Sequence, residues 1–294
     1  MINQLQITTG GQILDKAEIA IQRLKAFEPT EGYYLCMSGG KDSQCVYHLC
    51  QMAGVKFDAH YNVTSCDPPE LVQFLKNHYP DVKFQRNHDK DGNPITMWSL
   101  IPKNRMPPTR MVRYCCEELK EYAGAGRIIV TGVRWAESAN RKNNQGLINV
   151  FNPSKRQWLG AENVGAEFWT NKSGGLIMND DNDASRRIVE FCYRTNKTMV
   201  NPIVDWEDDD VWGFLNGNGI PHCSLYDEGF KRLGCIGCPM ARGKRMRAEF
   251  ERWPAYEKMY RRAFERMIAE RIARGLPCEW KTADDVMKWW LNET

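Results

Sequence analysis

One short segment constrains the fold of this chain more than any other, a glycine-rich turn between an apolar run and an amphipathic helix. The apolar run is 33–37, and the helix is predicted from about Asp42 to Ala53 because its apolar residues recur on one face. A turn in this context presents backbone amides and the positive end of a helix dipole at one point, and glycines let the main chain approach a phosphate closely. The residues of the predicted anion site are Ser38, Gly39, Gly40, Lys41, Asp42 and Ser43.

Short apolar runs alternate with helical patterns before and after this turn. A helix is predicted at 13–27, and the strands and helices that follow the turn are predicted, in chain order, at 57–63, 68–78, 82–85, 113–122 and 127–131. Strands that alternate with helices indicate βαβ units, so we predict an α/β fold with a parallel sheet flanked by helices. Residues 142–190 are polar and rich in Asn and Gly, which indicates an insertion or a long loop.

The last third of the chain is predicted to be mainly helical. Its predicted elements are a pair of strands at 187–193 and 198–204, a short helix at 207–215, a long charged helix at 245–274 and a final helix at 281–292. A helical extension therefore follows the α/β part of the chain.

The charges are distributed unevenly. The chain has 40 Lys and Arg against 37 Asp and Glu, but residues 241–294 alone hold 13 Lys and Arg against 9 Asp and Glu. We therefore predict an α/β domain over 1–240, with its insertion at about 142–190, and a basic helical extension over 241–294. A basic extension suits a polyanionic partner such as nucleic acid, although a solvated helix surface carries similar charges.

Nothing in the sequence indicates a membrane protein or a secreted one. No apolar run approaches the roughly 20 residues of a membrane helix, and the first six residues lack the charged and apolar parts of a secretory signal. We therefore expect a cytoplasmic protein, and disulfides are rare in that reducing compartment. The 11 cysteines must then be buried small side chains, or metal or redox ligands.

Four cysteines form two close pairs that suit a metal centre. These are the adjacent Cys115 and Cys116, and the pair Cys235 and Cys238 in a Cys-x-x-Cys motif. A Cys-x-x-Cys motif lets both sulfurs reach one centre, but adjacent cysteines converge poorly on a single tetrahedral zinc ion. In a cluster of several irons they can bind different corners. An iron–sulfur cluster, a zinc ion and no metal therefore all stay open, and the cluster is favoured.

Several segments together resemble a known family. Residues 38–43 resemble the pyrophosphate loop of the N-type ATP pyrophosphatases, and 132–138 with Arg141 is similar to a segment of phosphoadenosine phosphosulfate (PAPS) reductases. Other matching segments are 63–65, 113–120, 201–206, 210–212, 220–221, 225–229 and 234–235. The resemblance to the PAPS reductase family covers about 30–240 apart from the insertion. It implies an adenine nucleotide alpha hydrolase-like fold whose loop binds nucleotide phosphates.

The resemblance also implies functional residues outside the loop. Thr64, Gly132, Arg134 and Arg141 are expected at the nucleotide. Gly132 and Arg134 follow a predicted strand end, where ligands bind in open α/β sheets. Arginines can grip phosphate or sulfate oxygens in a fork, although a single Arg is equally often a surface ion pair.

The catalytic candidates are Lys41, Arg134 and two cysteines. Cys66 follows the second strand and Cys223 precedes the Cys-x-x-Cys motif. Either could carry sulfur as a nucleophile if positive charge stabilised its thiolate. An ordinary buried thiol is the more frequent alternative for each.

The cysteine pattern and the loop indicate different branches of the family. The Cys-Cys and Cys-x-x-Cys arrangement resembles that of the iron–sulfur adenylyl-sulfate reductases, which implies a [4Fe-4S] cluster at Cys115, Cys116, Cys235 and Cys238. However, the Glu-Cys-Gly-x-His type of segment that carries the nucleophile of those reductases is absent, and the phosphate loop is complete. Both departures favour ATP, with Mg²⁺, over a sulfonucleotide such as adenylyl sulfate.

The sequence therefore predicts an enzyme of ATP-dependent sulfur transfer, similar to the DNA phosphorothioation sulfurtransferase. A cysteine desulfurase or a thioredoxin-like thiol protein is the implied sulfur donor. The alternatives are a sulfonucleotide reductase that releases sulfite, and a regulator without catalytic activity that senses nucleotide or redox state. In the regulator, Arg242, Lys244, Arg245 and Arg247 would contact nucleic acid.

Overall fold

The computed structural model describes residues 5–7, 13–121, 124, 126–151, 153, 162, 167–180 and 198–293. These residues form two compact units that alternate along the chain. The first unit draws on 1–61, 74–83 and 124–228, and the second on 62–73, 84–123 and 229–294. The predicted domain boundary near residue 240 stays a prediction.

Ten strands are described, and eight of them form one sheet. They are β1 Leu5–Ile7, β2 Ile13–Asp15, β3 Tyr33–Cys36, β4 Phe57–Asn62, β5 Lys83–Gln85, β6 Ile128–Val130, β7 Ile148–Val150, β8 Trp169–Thr170, β9 Leu176–Met178 and β10 Thr198–Val200. The sheet order is β5-β4-β3-β6-β10-β7-β9-β8, and β1 and β2 form a separate antiparallel pair. The predicted α/β class is confirmed.

The helices complete the list of elements. They are α1 Lys16–Ala26, α2 Lys41–Ala53, α3 Pro69–His78, α4 Met97–Asn104, α5 Tyr114–Cys116 with a π-helical turn Glu117–Glu121, α6 Ala139–Asn144, α7 Asp208–Gly217, α8 Arg242–Arg252, α9 Pro254–Ala273 and α10 Ala283–Glu293. None of the helices described is both long and apolar enough to cross a membrane.

The centre of the sheet is parallel and its far side is antiparallel. Strands β4, β3, β6 and β10 pair in parallel, whereas β7, β9 and β8 pair antiparallel beyond β10. The three antiparallel strands lie in the segment 142–190, for which we predicted an insertion or a long loop. They are two or three residues long, so no alternating pattern was long enough to indicate them.

Two other boundaries differ from the predictions. The helix predicted at 13–27 begins only at Lys16, because β2 occupies Ile13–Asp15. The strand predicted at 198–204 ends at Val200, and a turn that contains Pro202 follows. Proline has no N–H to donate to a neighbouring strand. The strand predicted at 187–193 lies outside the described residues.

The second unit is built mainly from helices around buried aromatic side chains. Tyr260, Phe264 and Trp290 are fully buried there, and the Trp290 indole donates to the Pro108 carbonyl oxygen at 2.6 Å. The long helix predicted at 245–274 is two helices, α8 and α9, which meet at Trp253. Pro254 begins α9, where its missing N–H costs nothing.

Candidate functional site

The loop between β3 and α2 is held by its own hydroxyl groups. Gly39 has φ of +75°, a left-handed conformation that favours glycine. The Ser43 hydroxyl donates to the Gly40 carbonyl oxygen at 2.9 Å and accepts from the Ser38 amide at 3.2 Å. The Gly40 amide in turn donates to Ser38 Oγ at 3.4 Å. The two predicted serines therefore fix the curvature of the loop.

A tyrosine that we did not predict as a site residue lies against this loop. The Lys41 amide, in the first turn of α2, donates to the Tyr226 hydroxyl at 2.8 Å. The Trp212 and Tyr226 rings pack edge to face with centroids 5.0 Å apart. Tyr226 belongs to the segment 225–229, which matched the family motif, but the motif did not indicate this contact. An oxygen therefore already sits at one of the amides on which we expect an anion to bind.

Four charged side chains form a network at the start of α2. Lys41 Nζ lies 3.1 Å from Asp208 Oδ1 and 3.6 Å from Asp42 Oδ1. Arg134 Nε donates to Asp42 Oδ1 at 2.7 Å, and its Nη2 donates to Asp208 Oδ1 at 2.6 Å. Two cations and two carboxylates therefore meet beside the loop. We call these four residues the loop charge network.

Burial and charge pairing act in opposite directions on this network. Burial alone would raise the pKa of Asp208, but hydrogen bonds from Arg134 and Lys41 outweigh it, so the pKa lies below its usual value. Burial would lower the pKa of Arg134, yet Asp42 and Asp208 raise it. Asp208 and Arg134 are therefore held in their charged forms.

The structure brings Arg134 to the loop but occupies its donors with protein groups. Only 1% of Arg134 is exposed. Besides the two carboxylates, its guanidinium donates through Nη1 to the Trp206 carbonyl oxygen at 3.0 Å. Arg134 therefore acts as a clamp on Asp42 and Asp208 in this conformation. The direct grip on phosphate that we predicted for Arg134 stays a prediction.

Asp208 is a site residue that sequence reasoning missed. Asp208 begins the acidic run 208–210, which is typical of a helix N-terminus, and it is the first residue of α7. Its carboxylate also accepts from Arg134 and contacts Lys41. The sequence showed the acidic run but gave no reason to place it beside residue 41.

The other nucleotide candidates lie in different surroundings. Gly132 packs so closely on α2 that a Cβ there would lie 2.7 Å from the Asp42 carbonyl group. Arg141, on α6, forms an ion pair with Glu137. Thr64 belongs to the second unit, where its hydroxyl donates to Asp67 Oδ1 at 2.7 Å.

The four predicted metal-ligating cysteines all belong to the second unit. A hydrogen bond with Cys116, burial, and the charges of Cys235 and Cys238 each raise the pKa of the Cys115 thiol. The charge of Cys235 likewise raises the pKa of the Lys120 ammonium. The two pairs, far apart in sequence, are therefore close enough to influence one another.

These cysteines do not meet at one point. Among the described residues, no three or more His, Cys, Asp or Glu side chains converge as a single metal ion would require. A cubane cluster makes a different demand, because each cysteine binds its own iron and the sulfurs stay apart. The observed neighbourhood therefore suits the donor chemistry of a cluster.

The two candidate nucleophilic cysteines are both buried. Burial raises the pKa of the Cys66 thiol well above its usual value, and the Tyr260 hydroxyl donates to its sulfur at 3.4 Å. Cys223 is 1% exposed and belongs to the first unit. For Cys66 in particular, these surroundings favour an ordinary buried thiol over a reactive thiolate.

Comparison with known proteins identifies the family. The model of the phosphoadenosine phosphosulfate reductase domain matches residues 32–241. An uncharacterised protein of Methanocaldococcus jannaschii is 24% identical over 270 residues, which cover 85% of this chain and 52% of that protein. An adenosine 5′-phosphosulfate reductase of Neisseria meningitidis is 42% identical over 50 residues, 16% of this chain and 20% of that enzyme.

The comparison with solved structures gives matches of low similarity. The PAPS reductase of Candida auris, in a phosphate complex, is 14% identical with a TM-score of 0.41 over 76% of this chain and 88% of its own. This chain spans about half the length of its Methanocaldococcus relative. The match over residues 32–241 covers well over half of the chain, and the chain therefore belongs to the PAPS reductase family.

Proposed function

We propose that this protein is an enzyme that binds the triphosphate of ATP, with Mg²⁺, at residues 38–43 and uses it for sulfur transfer. The observation that carries the proposal is the loop charge network. Mg²⁺ prefers carboxylate and phosphate oxygens, and Asp42 and Asp208 present carboxylates beside the phosphate loop. A sulfonucleotide has no β,γ-diphosphate and no comparable need for a divalent cation.

The residues of the network have separate parts in this proposal. Lys41 turns from Asp208 towards the phosphates when nucleotide binds, and Arg134 keeps both carboxylates in place. Attack of an acceptor on the α-phosphorus then releases pyrophosphate and leaves an adenylylated acceptor. A sulfur nucleophile next displaces AMP. Preorganised cations stabilise the charge that develops on the phosphoryl oxygens.

We further propose that Cys115, Cys116, Cys235 and Cys238 hold a [4Fe-4S] cluster. Their mutual influence on pKa and the nearby Lys120 ammonium, which would offset negative charge, support this assignment. When bound, such a cluster would position or relay sulfur. A zinc ion is the alternative, and iron, sulfide and zinc analysis of anaerobically purified protein distinguishes the two.

The nucleotide proposal is tested by equilibrium binding and by product analysis. We expect ATP to bind more tightly than adenylyl sulfate or PAPS, and we expect its affinity to fall when EDTA removes Mg²⁺. Neither sulfonucleotide should release sulfite when it is incubated with the protein. Asp208→Asn should remove most of the Mg²⁺ dependence, whereas the neighbouring exposed Asp209→Asn should keep it. ATP binding that is indifferent to Mg²⁺ would contradict the proposal.

A second candidate, sulfonucleotide reduction, is favoured by the match to an adenosine 5′-phosphosulfate reductase. Sulfite release in the presence of a thioredoxin-type thiol would establish it. The donor in the first proposal is a thiol protein of the cysteine desulfurase or thioredoxin type.

Nucleic-acid binding by the basic C-terminal region stays a prediction. Two of its arginines bond within the second unit. Arg245 pairs with Glu249, and Arg247 donates to Asn292.

A further inference from the structure

We propose that Glu249 is a positioning residue that holds the Cys235-x-x-Cys238 loop in its metal-ready conformation before any metal binds. The proposal rests on the metal centre proposed above. Small metal sites often fold only when the metal arrives. Here the two residues between the cysteines are fixed by the protein itself.

The first fixed residue is Gly237. Its amide donates to Glu249 Oε2 at 2.9 Å. Gly237 has φ of +70°, and a Cβ there would lie 2.8 Å from the Phe250 ring and 2.9 Å from the Tyr260 ring. The loop therefore adopts a left-handed turn, pressed against two aromatic rings, that only glycine can occupy.

The second fixed residue is Ile236, which is held on both sides. Its amide donates to the Cys66 carbonyl oxygen at 2.7 Å, and its own carbonyl oxygen accepts from the Tyr260 hydroxyl at 3.0 Å. Together with the bond from Gly237, three hydrogen bonds fix the segment between the cysteine ligands. None of the three involves a cysteine sulfur.

Glu249 is built into the fold as an anchor. It is 4% exposed, and its Oε1 accepts from Arg245 Nε at 3.0 Å. Arg245 in turn donates to the Arg232 carbonyl oxygen at 2.7 Å. A buried carboxylate is costly unless it is paired, and a charged acceptor strengthens a hydrogen bond. A buried carboxylate that is paired with Arg245 therefore accepts the hydrogen bond from the Gly237 amide.

A similar pair elsewhere on the helices provides the control. Glu257 and Arg261 on α9 also form a Glu–Arg pair four residues apart, in the reverse order, but each of these side chains is 33% exposed. Arg261 donates to Glu257 and also to Asp284. Loss of the Glu257 charge therefore removes a helix ion pair without touching the cysteine loop.

The test measures thiol alkylation in full-length metal-free protein. Cys235 and Cys238 are half-buried, so local opening of the loop should expose their sulfurs further and speed their alkylation. We expect Glu249→Ala to raise the iodoacetamide rates of Cys235 and Cys238 by about tenfold, the order expected when a hydrogen bond to a charged group is lost. Glu249→Gln keeps an acceptor oxygen and should raise the rates less, while Glu257→Gln should leave them at the wild-type value.

Two further measurements distinguish failure of this proposal from misfolding of a variant and from failure of the proposed metal centre. Tyr260→Phe removes the hydroxyl that donates to the Ile236 carbonyl oxygen and to the Cys66 sulfur. It should raise the same rates, and it provides a second test of the loop if Glu249→Ala does not fold. Rates within twofold of wild type in Glu249→Gln and Tyr260→Phe, or in folded Glu249→Ala, would overturn the proposal. Iron and zinc content of the wild type tests the metal centre independently, because the alkylation result needs no metal.

Discussion

At the scale of single residues, Arg134 shows how one buried side chain can hold two carboxylates beside a loop that we propose binds phosphate. Its guanidinium joins two carboxylates and one carbonyl oxygen. The fork of donors is specific to arginine, and an ammonium cannot reproduce it. This geometry, rather than the charge alone, keeps Asp42 and Asp208 beside Lys41.

We therefore expect Arg134→Lys to be destabilising although it keeps the charge. The guanidinium is buried, but the Asp208 carboxylate is 68% exposed. The cost should therefore lie between about 1 kcal/mol, the value for an exposed pair, and about 3 kcal/mol, the value for a buried one, and ATP affinity should fall with it. Urea unfolding measures the first effect and calorimetric titration the second. Arg274→Lys, at an exposed pair with Glu270, should cost less than about 1 kcal/mol, and equal costs for the two variants would argue against the clamp.

Asp58 on β4 leads to a prediction about pH. Burial would raise its pKa, but hydrogen bonds from Arg127 and His60 outweigh burial and lower the pKa from 3.8 to about 2. A carboxyl group with a lowered folded-state pKa stabilises the fold above pH 4, and this contribution is lost as the pH falls towards 2.

Asp58→Asn should therefore cost about 2 kcal/mol at pH 7, the linkage value for such a shift. The difference from wild type should shrink as the pH falls below 4, which unfolding curves at several pH values will show. A difference that stays constant down to pH 2 would mean that Asp58 contributes through something other than its charge.

The loop itself could be predicted because it is local, whereas its partners could not. Ser38 to Ser43 follow one another in the sequence, and their order already indicates a phosphate site. The partners of Arg134 lie 92 and 74 residues away, and no pattern in one sequence links such positions. The sequence alone therefore does not distinguish a buried arginine that holds two carboxylates from an arginine that binds phosphate.

At the scale of elements, the close approach of the end of β6 to the start of α2 holds the phosphate loop. Gly132 follows β6, and a Cβ there would collide with the backbone of Asp42. We expect Gly132→Ala to push the start of α2 away and to lower both stability and ATP affinity. Binding and unfolding measurements on the same preparations test this.

Gly213, inside α7, is the matched control. A Cβ there meets no atom within 4 Å, and alanine favours a helix over glycine by up to about 1 kcal/mol. Gly213→Ala should therefore be neutral or stabilising and should leave ATP affinity unchanged. If both alanines have the same effect, the contact between β6 and α2 is not what holds the loop.

The predicted elements differ from the observed ones where patterns are short or continuous. Three-residue strands such as β7 and β9 are too brief to show a period of two, and α4 contains Pro102, a residue that argues against a helix. The charged pattern of 245–274 continues across Pro254, although the helix axis is interrupted there. Hydrophobic periodicity predicts which face of a helix or strand is buried more reliably than it predicts where that element begins and ends.

At the scale of the whole molecule, the two candidate sites belong to different units. The phosphate loop and its charge network belong to the first unit, and the four paired cysteines belong to the second. Each unit is assembled from three stretches of sequence, so neither is a simple segment. The family and the α/β class followed from motif order along the chain, whereas this interleaving did not.

The most direct test of the account is calorimetric titration of ATP with Mg²⁺ into the wild type and Lys41→Ala. Lys41 is 4% exposed and faces Asp42 and Asp208, so its loss removes a cation and leaves two carboxylates facing the phosphates. We predict a stoichiometry of about one ATP per chain and an affinity at least about tenfold weaker in the variant, as expected for a charged contact. The exposed Lys76→Ala should bind like wild type. Equal affinity in Lys41→Ala and wild type would contradict the central claim that the nucleotide's phosphates bind at this loop.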